Sequence, residues 1–315
     1  MKTRVLGRTG LNVSEIGFGA WGIGSKHYGP VEENQAMEAL GAYVEAGGNF
    51  IDTARGYQDS EKVIGKFLAE GKLRDRVVIC TKIGPHDPAA IRRDLETSLT
   101  KLQTDHVEVL YIHNPPDSPE TMNQLLDLFE RFRSEGKTRF VGASIQGGNV
   151  TDHTIDIHHQ YIDTGRVDVI QLIFSILRQK NAAIFDKARK SGVGLVGRTV
   201  LESGFLTAKY PPGHRFPGKF PDGDQRTRWN VEQLDKILTV AQELKAQLVQ
   251  PPYTNLAQVA MRFALDQPEI STIIPGQKSA EQARANVAVA ELPPLSPALR
   301  QIITRYAGNE TLVNP

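Results

Sequence analysis

Thiols are all but missing from this sequence: Cys80 is its one cysteine among 315 residues. An internal disulfide and a metal centre built on several thiolates are both excluded, and a reducing compartment is the setting predicted. Neither sign of charge dominates. Lys and Arg number 37 against 36 Asp and Glu, and the net charge of +1 supplies no general field for capturing nucleic acid or an anionic membrane. Any anionic ligand must be held by a local site. Long apolar runs are also lacking: none approaches the roughly 18 residues of a membrane span, and the charged opening MKTRVLGRTG has no signal-peptide core. The expected protein is soluble and cytoplasmic, with no nucleic-acid or membrane partner. The N-x-T triplets at Asn149 and Asn309 are then chance matches, since glycosylation needs a secretory route.

What is present is ordinary globular composition, 40% hydrophobic and 23% charged, enough for one large barrel or two modest domains. Gly7, Gly10 and Asn12 punctuate short apolar runs and predict an N-terminal β-hairpin. Short β-like runs then alternate with longer helical patterns. The strand candidates are 15–19, 49–52, 77–82, 106–113, 139–144, 167–172, 193–198 and 270–275. The amphipathic segments between them are 32–46, 59–70, 88–102, 119–135, 182–191 and 256–265. Parallel strands need crossovers and are covered on their outer face, so eight such repeats without a linker predict a closed α/β (β/α)₈ TIM barrel. Residues 1–315 are expected to form this single domain, with an open doubly wound sheet as the runner-up. The longest irregular stretch, 201–228, is rich in Gly, Pro and charge and is a candidate functional loop. An extra helix is expected over 229–249.

A barrel carries its active site at the C-terminal ends of its strands. Asp52 closes the second strand in NFIDTARGY, Tyr57 follows in the loop, Lys82 closes the third in VVICTKIG, and His113 closes the fourth in VLYIHNP. Singly, each has a bland reading as a cap, a rim residue, a solvated lysine or a structural histidine. Together they aim a carboxylate, a phenol, an ammonium and an imidazole at one mouth. A phenol with an ordinary pKa near about 10 works poorly in neutral proton transfer unless a neighbour favours its phenolate. An ammonium about 4 Å away contributes about 4 kcal/mol at an effective dielectric of about 20, before desolvation is subtracted. Lys82 can be that neighbour, Asp52 would keep it charged, and a neutral His113 could orient a substrate carbonyl.

With these residues in place, the sequence resembles the aldo-keto reductase superfamily along nearly its whole length. FIDTARGY, TKIG and YIHNP read like the family's catalytic-tetrad motifs, so the resemblance implies catalytic roles for Asp52, Tyr57, Lys82 and His113. LGRTGLNVSEIGFGAWGIG and STIIPGQKSAEQARANV are similar to its first-strand and last-helix signatures. The implied fold is again the barrel, binding an extended nicotinamide cofactor without a Rossmann domain. Gly17, Gly19 and Gly22 do spell G-x-G-x-x-G, but Gly24, Gly29 and Pro30 are expected to keep a helix from opening there. This loop is instead expected to let Trp21 and Ile23 edge the substrate pocket.

The resemblance also implies cofactor contacts. Ser144 and Gln171 match positions that bind the nicotinamide carboxamide; Ile145 stands where the family has an asparagine, a contact that Gln146 could supply. Arg198 replaces an aromatic residue that stacks on the nicotinamide, and a guanidinium plane can also stack. LESGFLTAKY is similar to the loop over the pyrophosphate, implicating Leu201, Ser203, Gly204 and Lys209. The adenosine end is expected over Gly276, Lys278, Gln282 and Asn286, with Lys278 on a 2′-phosphate. Gln282 stands where some members have arginine, so NADPH/NADP+ is the expected cofactor, with NADH possible.

The activity expected is reduction of aldehydes or ketones to alcohols, or the reverse, by hydride transfer from nicotinamide C4 with Tyr57 as general acid or base. No metal is needed: His153, His158 and His159 are read as a solvated face, and Cys80 as inert packing. Two alternatives stand beside it. One is a Schiff-base aldolase using Lys82; the other is a regulatory cofactor-binding protein with little turnover. The short NPPDSP loop and short tail predict an open pocket for small carbonyl or alcohol substrates.

Overall fold

The computed structural model describes residues 1–24, 28–84, 87–145, 150–220 and 223–314; Gln146 and Asn149 lie outside them. The chain opens with the expected hairpin, β1 (Thr3–Val5) antiparallel to β2 (Asn12–Ser14). Eight parallel strands follow: β3 (Phe18–Gly19), β4 (Phe50–Asp52), β5 (Val78–Ile83), β6 (Val107–His113), β7 (Thr138–Ser144), β8 (Val169–Ile173), β9 (Gly194–Arg198) and β10 (Ile270–Ile273). They pair in chain order from β3 to β10. Parallel bridges Ile16 to Ile273 and Gly19 to Gly276 bring the last strand back to the first and close the barrel. The first strand is therefore shorter than 15–19: its early residues serve the closure, with Gly17 N–H donating to Ile273 (2.7 Å) and Ile273 N–H to Glu15 (3.0 Å).

The helical layer is formed by α1 (Trp21–Gly24), α2 (Glu33–Glu45), α3 (Ser60–Gly71), α4 (Pro88–Leu102), α5 (Pro119–Ser134), α6 (Asp152–Asp163), α7 (Phe185–Lys190), α8 (Val231–Leu248), α9 (Leu256–Leu265), α10 (Ala280–Ala288) and α11 (Pro297–Thr304). Local chemistry explains their starts. Asp87 accepts from the N–H groups of Ala89 and Ala90 ahead of Pro88, and Asn230 and Gln233 cap α8 reciprocally. Two expectations are corrected. The segment 182–191 is a 3₁₀ stretch, Lys180–Ile184, running into the short α7. A single helical turn, α1, does open after the glycine-rich first strand; Gly19 there lies against the carbonyl of Ile274, 2.5 Å from where a Cβ would stand, so the glycine serves barrel closure.

Apolar burial is divided between two cores. Inside the barrel, Phe50, Val78, Cys80, Val109, Tyr111, Val169 and Val196 meet Leu6, Leu11 and Val13 of the hairpin, which plugs the N-terminal mouth. The larger core lies between the strands and the helices. Strands buried on both faces read as near-continuous apolar runs, and Val107–Ile112 and Val169–Ile173 are buried throughout. Buried polar side chains, Glu108 and Gln171 among them, are the exceptions.

Candidate active site

Asp52, Lys82 and His113 sit at or near the C-terminal ends of β4, β5 and β6, and parallel register brings them to one rim. Lys82 is wholly buried; its Nζ donates to Asp52 Oδ1 and to the Thr53 carbonyl (2.7 Å). Burial alone would discharge the ammonium, but the Asp52 carboxylate and the Tyr57 phenol outweigh it and raise the Lys82 pKa. A buried lysine held in its charged form by a carboxylate is unsuited to attack a carbonyl as a free amine, which weighs against the aldolase alternative.

Tyr57 is half-buried on the loop after β4, with Lys82 Nζ 5.1 Å from its ring centre. Trp21 stacks near it at 6.2 Å, and the His113 ring stands edge-on at 6.2 Å. A close backbone approach sets this loop: a Cβ on Gly24 would collide with the Tyr57 carbonyl and with Ser60. Burial, then the charges of Lys82 and Arg198, push the His113 imidazole down to about 3. It is therefore neutral near pH 7, the form expected of a hydrogen-bond donor to a carbonyl.

The same register aligns His113, Ser144 and Gln171 across three strands. Gln171 is tied at both ends, accepting from Ser144 Oγ (3.2 Å) and donating to Asp52 Oδ2 (2.7 Å). It thus orients the Asp52 and Lys82 pair, a connection not visible in the sequence. Arg198 ends β9 and donates to the backbone carbonyl of Ile145 (2.9 Å), so that position contributes its main chain where its side chain cannot. Its Nε is shielded from solvent with no hydrogen-bond partner. Trp21 stays half-exposed, whereas Ile23 is 5% exposed and packs within the larger core.

Beyond this rim lies a cluster of cationic side chains, Lys209, Arg226 and Lys278. Lys278 is half-buried, its stem over Gly22 and its Nζ donating to the Tyr28 carbonyl (2.7 Å). Burial and the neighbouring charges of Arg226 and Lys209 lower its pKa. Gly276 opens onto free space, Gln282 accepts from the Lys278 N–H (2.9 Å), and Asn286 donates weakly to the Gly276 carbonyl (3.4 Å). Sequence reasoning missed Arg226 and Tyr28. Arg226 is paired with Asp224 (2.5 Å) and stacked 3.9 Å from the Phe216 ring centre and 5.4 Å from that of Tyr28. Gln225 bonds the Tyr28 hydroxyl. The far end of the 201–228 stretch is thereby fastened to Tyr28, in the segment between β3 and α2. Only its arginine-rich DQRTRW ending hinted at this.

Among the described residues, no group of three or more His, Cys, Asp or Glu side chains is arranged to hold a metal ion. His153 is exposed and paired with Asp117 (3.0 Å), but His158 is only 1% exposed, so the three histidines do not share a solvated face. Cys80 lies wholly buried in the barrel interior.

A parallel barrel whose C-terminal mouth presents a buried carboxylate and ammonium pair, a phenol and a neutral imidazole defines a class of oxidoreductase built for carbonyl groups. A model of the Aldo/keto reductase family matches residues 15–305, and the chain belongs to that family. It is 28% identical to an L-galactose dehydrogenase of Arabidopsis thaliana over 310 residues, 93% of this chain and 89% of that protein. It is 26% identical to a probable voltage-gated potassium channel subunit beta of the same plant, covering 94% and 93%. Among solved structures, the holo form of aldo-keto reductase AKR11C1 from Bacillus halodurans superposes with a TM-score of 0.78 at 26% identity, over 98% and 97% of the two chains.

Proposed function

We propose that residues 1–315 act as one unit, an NADP(H)-dependent reductase of small aldehydes or ketones, with Tyr57 as proton donor. The observation that carries this reading is Lys82, buried between Asp52 and the Thr53 carbonyl with its charge 5.1 Å from the Tyr57 ring centre. The donor set also fits a dinucleotide: Lys209, Arg226 and Lys278 are electrostatic neighbours with Asp224 as their counter-charge, and a surplus of cations suits phosphates. When bound, the nicotinamide supplies the hydride.

The chain's own residues would do the rest. His113 donates to the substrate carbonyl and aims it. Tyr57 Oη gives its proton to the carbonyl oxygen as the carbon is reduced, and Lys82 stabilises the phenolate left behind. Asp52, oriented by Gln171, holds Lys82. Ser144 and Gln171 would face the carboxamide, and Arg198 would lie against the nicotinamide ring. Leu201, Ser203, Gly204 and Lys209 would line the diphosphate; Gly276, Lys278, Gln282 and Asn286 would hold the adenosine end. Trp21 forms a wall of the carbonyl pocket. With Gln282 exposed and bonded to backbone, the preference for NADPH over NADH falls to Lys278 and Arg226.

Among the described residues no helix is long and apolar enough to cross a membrane; we place the protein in the cytoplasm. The channel-subunit relative favours one second reading, a cofactor-binding regulator with little turnover. A panel of aldehydes, ketones and sugars with NADPH and NADH, run on wild type and Tyr57→Phe, separates the two. Carbonyl-dependent NADPH oxidation that falls by about 10²-fold or more in the variant, at unchanged NADPH affinity, is expected. Undiminished turnover in Tyr57→Phe overturns the proton role, and tight NADPH binding without turnover in wild type favours the regulator.

A further inference from the structure

Left-handed backbone is unevenly distributed in this chain. Of the eight described residues other than glycine with positive φ, four, Thr199, Glu202, Ser203 and Ala208, fall within ten positions after β9. Three of the residues there are consecutive: Glu202 at 45°, Ser203 at 54° and Gly204 at 86°. Side chains with a Cβ disfavour this conformation, so surrounding structure must impose it on Glu202 and Ser203.

The imposing contact comes from the loop after the neighbouring strand β8. Arg178 Nε donates to Glu202 Oε1 (2.9 Å) and its Nη2 to Oε2 (2.5 Å). Ser175 Oγ also donates to Oε1, while accepting from the N–H groups of Leu177 (3.2 Å) and Arg178 (3.1 Å). Arg178 is 4% exposed, Glu202 2% and Ser175 wholly buried. A buried ion pair adds little net stability over apolar residues of the same volume, so stability alone is a weak reason for it. What it does well is select one geometry. The next residue, Ser203, lies 3.5 Å from Gln225, which bonds Tyr28 beside the cationic cluster of Lys278 and Arg226.

We propose that Arg178 and Glu202 are positioning residues: their buried pair locks the left-handed turn Glu202 to Gly204, so that the wall of the phosphate groove is formed before the dinucleotide arrives. This rests on the NADP(H) reading above. Neither side chain touches the reacting atoms. Its effect is therefore preorganisation, seen in cofactor affinity rather than in turnover at saturation.

The test uses double variants that remove both charges, leaving no lone buried ion: Arg178→Met with Glu202→Gly, Glu202→Asn or Glu202→Ala. Glycine adopts positive φ freely, asparagine tolerates it and alanine resists it. NADPH dissociation constants from quenching of tryptophan fluorescence are expected to rise at most about threefold for glycine and about tenfold or more for alanine, with asparagine between. The turnover number at saturating NADPH and the carbonyl KM stay within about twofold in all three. Should the alanine variant fail to fold, glycine binding more tightly than asparagine remains the required order. Equal affinities for the variants, or a glycine variant as weak as alanine, overturn the proposal. A wild-type protein that binds neither NADPH nor NADH overturns the functional reading beneath it instead.

Discussion

The two mouths of the barrel put charge to different uses. At the N-terminal mouth, arginines of the hairpin reach backbone carbonyls: Arg4 bonds those of Leu265 (2.7 Å), Gln267 (3.1 Å) and Ile270 (2.7 Å) as well as Glu15. Arg8 likewise joins Asp168 to the carbonyls of Gly165 and Val167. Carboxylates there accept from strand N–H groups, Glu108 from Ile79 (2.7 Å) and Asp168 from Val141 (3.1 Å). These charges bond backbone groups of loops, a helix end and strands, besides pairing with one another. At the C-terminal mouth, charges are held on one another, as in Lys82 with Asp52, or left with open valence, as at Arg198 Nε. One end braces the scaffold and the other gathers the titratable side chains, which is how a fold separates stability from chemistry.

Substitutions can break that contrast. The largest effect is expected of Lys82→Met, which strands the Asp52 carboxylate in the interior: stability should fall by about 3–5 kcal/mol and carbonyl reduction should vanish. Denaturant unfolding and NADPH oxidation read the two losses, and a fully active variant would dismantle the proposed site. Arg4→Met acts on the other mouth. It should cost about 2–3 kcal/mol through lost charge-assisted bonds, with turnover unchanged below the melting transition; a changed turnover number would show the two ends to be coupled.

Gly24→Ala sharpens the comparison, because its Cβ meets the Tyr57 carbonyl. About a tenfold fall in turnover, larger than its effect on melting temperature would suggest, is expected from the displaced phenol. The last test concerns pH. His113 is pushed from its ordinary 6.5 down to about 3, so between those values the unfolded chain binds the extra proton. Stability from its burial is complete above about 6.5 and is lost as pH falls through that window. A shallower stability-against-pH slope between pH 4 and 6 in His113→Gln checks the sign, and an NMR titration of the His113 ring with a midpoint near 6.5 would contradict it.

Much of this was readable in the chain. All eight barrel strands were located, because strands buried on both faces leave apolar runs bounded by polar ends. The extent of the first strand was misjudged, since closure against Ile273 is a pairing between residues more than 250 positions apart. Asp52, Lys82 and His113 were legible at strand ends and Tyr57 in the loop that follows β4. That Ile23 would be buried, or His158 hidden beneath the face of α6, depended on which side each helix turned inward.

By itself, then, the sequence determined the alternation of strands and helices and the presence of a carboxylate, a phenol, an ammonium and an imidazole near strand ends, because periodicity and residue chemistry are local properties. The tertiary structure alone decided that Gln171 holds Asp52, that Arg226 spans to Tyr28, and that Arg178 grips Glu202 beneath a left-handed turn. Those contacts join separate loops and strands: pairing of β8 with β9 brings Arg178 to Glu202, and closure of the barrel brings the other two within reach.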